Sequence, residues 1–426
     1  MSHSLERNQQ NATVLTVVDS DQPVEPTPRK PERLREIDLL RATAVCLMAV
    51  THGIFHMGYT PAWASYISQA GVYFCYAGFL MAFALAQGVT ADGAAANPAR
   101  RRKRLLQLAG FALLAYYCVA LGAYKDEIFN KTSNAAILQA GGTPLAGSSP
   151  LVNLLRLATL LTVPKAGDYF LCFVLFLAVI AIWPKLPSAV QRRPWQAMGA
   201  SLLLFAGAIS LSWKYPYTVE MTGTLAPIQG WWLMTIGMNA GSRVFPLFTY
   251  APLLTAGIIA GGSYLHSENR QDWLDRVSAF SIAGAVITAL ISFAFWPPPL
   301  LKSDGPLALS TAVLPGAQPG IIYLVGATCW SLLICALFAR LLAARSAVHD
   351  WPVTRFLTFT GQNSLWIIVW QYVWIVLGVR ILHPQVGNSR AILFLFTMVV
   401  LPPFVVHVLK SVRSTNRPGF TRVTDR

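Results

Sequence analysis

The sequence predicts an all-α integral membrane protein of about ten transmembrane helices, and three observations predict it. Of its 426 residues, 54% are hydrophobic and only 12% charged, with a mean hydropathy of +0.49, so a soluble fold would leave too much apolar surface in water. The apolar residues come in runs of about 18 to 25, the length that crosses roughly 30 Å of hydrocarbon. The formal net charge of +15 is gathered in short clusters between those runs. That is the positive-inside pattern of a membrane protein and not the continuous basic face of a nucleic-acid binder.

Residues 1–32, rich in Asn, Gln, Pro, Asp and Glu and without the apolar core of a signal peptide, read as a disordered cytoplasmic tail. A window of about 19 residues then places spans near 37–58, 66–88, 105–124, 168–184, 196–213, 244–265, 276–296, 319–341, 356–381 and 391–409. Between the third and fourth, the segment 151–163 is too short to cross and carries Arg156, so it reads as an interfacial or re-entrant helix. Residues 33–411 form the membrane domain and 412–426 a basic cytoplasmic tail.

The basic clusters orient the spans. Arg29, Lys30, Arg33 and Arg35 precede span 1, and Arg100, Arg101, Arg102, Lys103 and Arg104 separate spans 2 and 3. Lys185, Arg192 and Arg193 follow span 4, Arg340 and Arg345 follow span 8, and Lys410 and Arg413 open the run after span 10. An even number of spans puts every cluster on one side, with both termini in the cytoplasm. All six cysteines lie inside apolar segments without metal-ligand spacing and read as small buried residues.

Span 1, REIDLLRATAVCLMAVTHGIFHMGY, carries Asp38, Arg41, His52 and His56, where a lipid-facing helix would carry no ionisable group. At about 100° per residue, the step from Arg41 to His52 closes three turns plus roughly 20°, so the two share a face about 16 Å apart along the axis. Asp38 and His56 fall within about 60° of the same stripe. Two readings stand side by side. In one, His52 is a base near mid-membrane, Asp38 and Arg41 are an oriented ion pair nearer the cytoplasm, and His56 is an accessory at the outer mouth. In the other, Arg41 is a snorkelling anchor paired with Asp38, and His52 is a packing residue. The shared face favours the first.

Asp38-Leu39-Leu40-Arg41, followed after ten residues by His52, resembles the first-span signature of the acyltransferase 3 family of ten-span membrane acyltransferases. Tyr73-Phe74-Cys75-Tyr76-Ala77-Gly78-Phe79-Leu80 resembles its FF-x-x-SGF-L stretch, and Arg101 with Arg104 fits its Arg-x-x-Arg pattern. Leu357-Thr358-Phe359-Thr360-Gly361-Gln362-Asn363-Ser364-Leu365 is similar to the Gly-x-Asn-Ser-Leu entry to a late span, typical of the glucan- and exopolysaccharide-modifying branch, as is Phe245-Pro246-Leu247-Phe248. Ala42 stands where that family usually has Gly, Ala77 where Ser is common, and Trp370-Gln371 where many members have Tyr-x-x-His. A glutamine cannot titrate, which leaves Gln371 a binding and not an acid-base role.

The resemblance implies an O-acyltransferase that moves an acyl group, expected to be acetyl, from acyl-CoA (acetyl-CoA) to a hydroxyl of an envelope or secreted polysaccharide. It implies no permanently bound cofactor, a bacterial inner-membrane location among membrane lipid, a glycan or lipid-linked acceptor, and partners among polysaccharide synthase or export proteins. His52, Arg41 and Asp38 become catalytic candidates. A hydroxyl is a poor nucleophile, and an imidazole, whose ordinary pKa lies near 6.5, can take its proton. Arg101 and Arg104 are expected to receive the CoA phosphates with their forked donors. His56, Asp168, Asn363, Ser364 and Gln371 are the remaining substrate-binding candidates, although Asp168, Asn363 and Ser364 also read as helix caps. The competing class is a transporter or flippase for a glycan or lipid intermediate. A carrier should show polar residues on several facing helices, whereas here the ionisable residues concentrate in span 1.

Overall fold

A chain in hydrocarbon must satisfy its backbone polar groups internally, and these runs, too short on turn signals for a barrel, do so as helices. The structure is a computed structural model that describes residues 34–57, 62–91, 97–129, 149–160, 168–214, 235–236, 246–295 and 321–415. Among these are thirteen α-helices and no strand. In chain order they are α1 (Arg35–His56), α2 (Ala62–Val89), α3 (Pro98–Phe129), α4 (Pro150–Ala158), α5 (Asp168–Ile182), α6 (Leu186–Arg192) and α7 (Pro194–Lys214). Then follow α8 (Leu247–His266), α9 (Arg270–Phe295), α10 (Ile321–Ala344), α11 (Pro352–Gln362), α12 (Ser364–Leu382) and α13 (Asn388–Thr415). The expected N-terminal tail lies outside the described residues, and of the expected C-terminal tail only residues 412–415 are described, where they continue α13.

The described residues do not confirm the expected count of about ten spans. Among the described residues seven helices are long and apolar enough to cross a membrane, namely α1, α3, α7, α9, α10, α12 and α13. The number becomes eight if α5 and α6, bent 83° to one another, count as one broken span. The segments expected near 66–88 and 244–265 are helical, as α2 and α8; of α2 the side chains from Phe74 to Val89 are described, an apolar stretch shorter than a full crossing. From Phe74 to Leu85 every residue of α2 is buried, and α8 buries Tyr250, Leu253, Leu254, Gly257, Ile258 and Gly261.

Helices α2 and α8 approach so closely because small residues face one another. A Cβ on Gly261 would lie 2.2 Å from the Leu85 carbonyl oxygen, and one on Gly88 2.3 Å from that of Ile258. Gly257 faces Ala84 in the same seam. Gln191 of α6 then donates from Nε2 to the Gly88 carbonyl at 2.7 Å. Such seams hold membrane helices by van der Waals contact where no hydrophobic force acts between them. Gly261→Ala is therefore expected to destabilise by about 1–3 kcal/mol, since backbone cannot rotate out of the way as a side chain can. Gly110, with nothing within 4 Å of its would-be Cβ, is the control. Thermal unfolding in detergent should show a lowered midpoint for the first variant and none for Gly110→Ala.

The short segment after α3 is an amphipathic helix of nine residues, as expected for a piece too short to cross. Leu157 of α4 is buried while Leu151 and Leu155 are exposed, and Tyr117 of α3 donates to the Ala158 carbonyl at 2.8 Å. The ninth expected span, 356–381, is interrupted at Asn363, which separates α11 from α12. The described helix ends that carry the basic clusters contact one another, so they form one end of the bundle. Arg101 of α3 meets Pro184 beyond α5, Tyr264 of α8 meets Glu36 of α1, and Arg340 of α10 pairs with Asp275 of α9.

Candidate functional site

Helix α1 is central, packed against α2 on one side and the α11–α12 pair on the other, so its polar stripe faces protein. Asp38 is buried and Arg41 is 11% exposed. Arg41 Nη1 lies 3.5 Å from Asp38 Oδ1 and donates to the Gly361 carbonyl at 3.3 Å. Gln362 Nε2 donates to Asp38 Oδ2 at 3.4 Å, and the Arg41 guanidinium carbon sits 5.1 Å from the centre of the Phe83 ring. The expected ion pair is therefore clamped between α2 and the end of α11. A buried pair holding extra hydrogen bonds recovers much of its desolvation cost, whereas removal of one partner would leave a charge stranded.

Gly361 makes this clamp possible. A Cβ there would lie 1.9 Å from the Asp38 carbonyl oxygen and 2.7 Å from its carbon. Only a residue without a side chain lets α11 lie against the α1 backbone at that point. In the sequence this glycine is merely part of a short motif.

His52 lies on the same face of α1, three turns along, and is half-buried. Its ring packs against that of Tyr372 of α12 in a tilted contact, with centroids 5.4 Å apart and planes at 50°. Beside it, Gly53 leaves room for the Leu395 side chain of α13, whose Cδ2 lies 2.6 Å from where a Cβ would stand. Between the levels of Arg41 and His52, buried Gln371 donates from Nε2 to the Val45 carbonyl at 3.2 Å. The structure thus brings Asp38, Arg41, His52 and Gln371 onto one seam between α1 and the α11–α12 pair.

The other expected residues are distributed differently. Half-buried Arg101 donates to Gln87 Oε1 at 2.7 Å and to the Pro184 carbonyl at 3.2 Å. It ties α3 to the ends of α2 and α5, while Arg104, like Arg100, Arg102 and Lys103, is exposed. Asn363 and Ser364 are buried at the α11–α12 junction. Asn363 makes no side-chain cap to α12 but donates to the Phe359 carbonyl at 2.8 Å and accepts a hydrogen bond from Lys410 of α13. His56 ends α1 and Asp168 begins α5, far from the basic end, and the structure describes neither side chain.

Sequence reasoning missed several partners. Gln362 stood inside a quoted motif and Tyr372 beside Gln371, so proximity in sequence was the available signal. Lys410 was counted only as topogenic charge. Glu36, which accepts from Tyr264 at 2.7 Å, gave no signal beyond being an acid at a span end.

No curated protein matches the chain. The family model described as OpgC protein matches residues 33–413, nearly the whole chain. This corrects the family resemblance drawn above: the match is not to the acyltransferase 3 family, although the two are related in kind. Motifs a few residues long record a kind of membrane-helix chemistry and do not separate one family from another. By that match this multi-pass membrane protein belongs to the OpgC protein family, which is implicated in acyl substitution of osmoregulated periplasmic glucans.

Proposed function

We propose that the protein transfers an acyl group, acetyl or succinyl, from cytoplasmic acyl-CoA to a hydroxyl of a periplasmic glucan, with His52 as general base. The observation that carries this reading is the seam itself, where a half-buried imidazole sits three turns from a clamped ion pair on one helix face. In the proposed reaction His52 takes the proton of the glucan hydroxyl as its oxygen attacks the thioester carbon. The C–O bond forms, the C–S bond breaks, and the departing thiolate takes the proton back from the imidazolium. No covalent acyl-histidine is needed for this balance.

Arg41 acts as a positioning residue, because its guanidinium is committed to Asp38 and the Gly361 carbonyl. It holds the stripe of α1 in register with α11–α12, which in turn aims His52. The exposed basic turn Arg100, Arg102, Lys103 and Arg104 receives the CoA phosphates, and both termini lie on that cytoplasmic side. Arg101 keeps the turn in place and does not bind.

The test uses purified protein in nanodiscs with labelled acetyl-CoA or succinyl-CoA and glucan, reading thiol release and label on the glucan together. Label transfer that requires both substrates is expected, and its absence would overturn the reading in favour of a carrier. Arg104→Ala should raise the KM for acyl-CoA several-fold with an unchanged unfolding midpoint. Arg101→Ala should instead lower that midpoint, since it removes two bonds between helices.

A further inference from the structure

The geometry points to the Gln371 carboxamide as a binding group for the acyl donor, its Oε1 accepting a hydrogen bond from an amide N–H of the pantetheine arm. This rests on the acyl-CoA reading above and deepens it. Gln371 is 1% exposed, and its Nε2 donates to the Val45 carbonyl. Exchanging the two ends of the carboxamide would set two carbonyl oxygens against each other, so the donor end must face Val45 and the acceptor end must face away. That acceptor, Oε1, has no hydrogen-bond partner among the described residues although it is fully buried. A methionine or leucine of similar volume would fill the place without leaving a buried acceptor unmatched.

Its position says what the acceptor is for. At about 100° per residue, Val45 lies roughly 40° from Arg41 and 20° from His52, within the polar stripe of α1. It stands about 6 Å along the axis from Arg41 and about 10 Å short of His52. The following residue, Tyr372, carries the His52 ring contact. A donor with its phosphates at the basic end and its thioester at His52 runs its pantetheine arm past this level. That arm is a chain of methylene groups interrupted by two secondary amides, whose N–H groups need acceptors once they leave water. A buried carbonyl oxygen with no donor on it among the described residues matches one of them. The glucan reaches His52 from the opposite end and does not pass Gln371.

The experiment measures transfer to glucan by the full-length protein, using acyl-CoA and, separately, an acyl thioester of a simple alkanethiol that has no amide. Gln371→Leu and Gln371→Met are compared with wild type, two variants being used so that one may misfold without loss of the test. We expect the KM for acyl-CoA to rise about tenfold in a folded variant, with kcat and the KM for glucan little changed. The amide-free thioester should react alike with wild type and variant. An unchanged KM for acyl-CoA, an equal loss with the amide-free thioester, or a rise confined to the KM for glucan would each overturn the assignment. If wild type itself transfers nothing from acyl-CoA, the parent reading fails with it; wild-type transfer with an indifferent Gln371 overturns this inference alone.

Discussion

Replacing His52 with alanine lowers acyl transfer about 10²- to 10⁴-fold, the range lost when a positioned general base is removed. The fold should survive. His52 is half-buried, and a ring contact such as that with Tyr372 contributes about 0.5–1.5 kcal/mol beyond area burial. Its neighbour Gly53 keeps the close approach to α13 in either protein. His52→Gln sharpens the prediction, since glutamine keeps a hydrogen-bonding side chain but cannot take up a proton; it should lose as much as alanine. Initial rates of label transfer and the thermal midpoint, measured on the same preparations, separate lost chemistry from lost fold. Wild-type rates in either variant would remove the imidazole from the mechanism.

The second large effect is expected far from the imidazole. In Gly361→Ala the new Cβ, placed 1.9 Å from the Asp38 carbonyl oxygen, cannot be housed unless α11 moves by more than an ångström from α1. That displacement pulls the Gly361 carbonyl off Arg41 and Gln362 off Asp38 at once. The ion pair would then keep its buried charges with fewer hydrogen bonds. A shift of about 1 Å in a supporting element can cost about 10²-fold in rate, so transfer should fall at least that far, accompanied by a lower thermal midpoint. An alanine variant with wild-type rate and midpoint would show that the clamp does not position the stripe. Together the two variants divide the seam into a chemical end at His52, where stability is spared, and a structural end at Gly361, where it is not.

Much of the site was legible in the sequence because it lies on one helix. The Asp38, Arg41 and His52 stripe follows from helical geometry alone, and the structure keeps it on a protein-facing side. The identity of what faces it was not legible. Arg41 and Gly361 are 320 residues apart, and Gln371 and Val45 326. Those pairings depend on how α11 and α12 are rotated about their own axes; α12 is apolar all round and carries little periodic signal of that rotation, and the amphipathic face of α11 does not say which helix it meets. Arg101 and Arg104 show the same limit. In sequence they are equivalent members of a basic run, and only the packing of α3 against α2 and α5 buries one and leaves the other in the open.

By itself the sequence determined an all-helical membrane protein, the placement of its helical segments and the polar stripe of α1. Hydropathy, charge clustering and the 3.6-residue period are local properties that neighbours do not alter. Tertiary structure alone decided which helix lies innermost, as α2 does with every residue from Phe74 to Leu85 buried. It also decided which polar groups find partners among the described residues and which, like Gln371 Oε1, do not. Hydrogen bonds between helices form only where two backbones come close enough, and here that approach is set by glycines whose partners lie far along the chain.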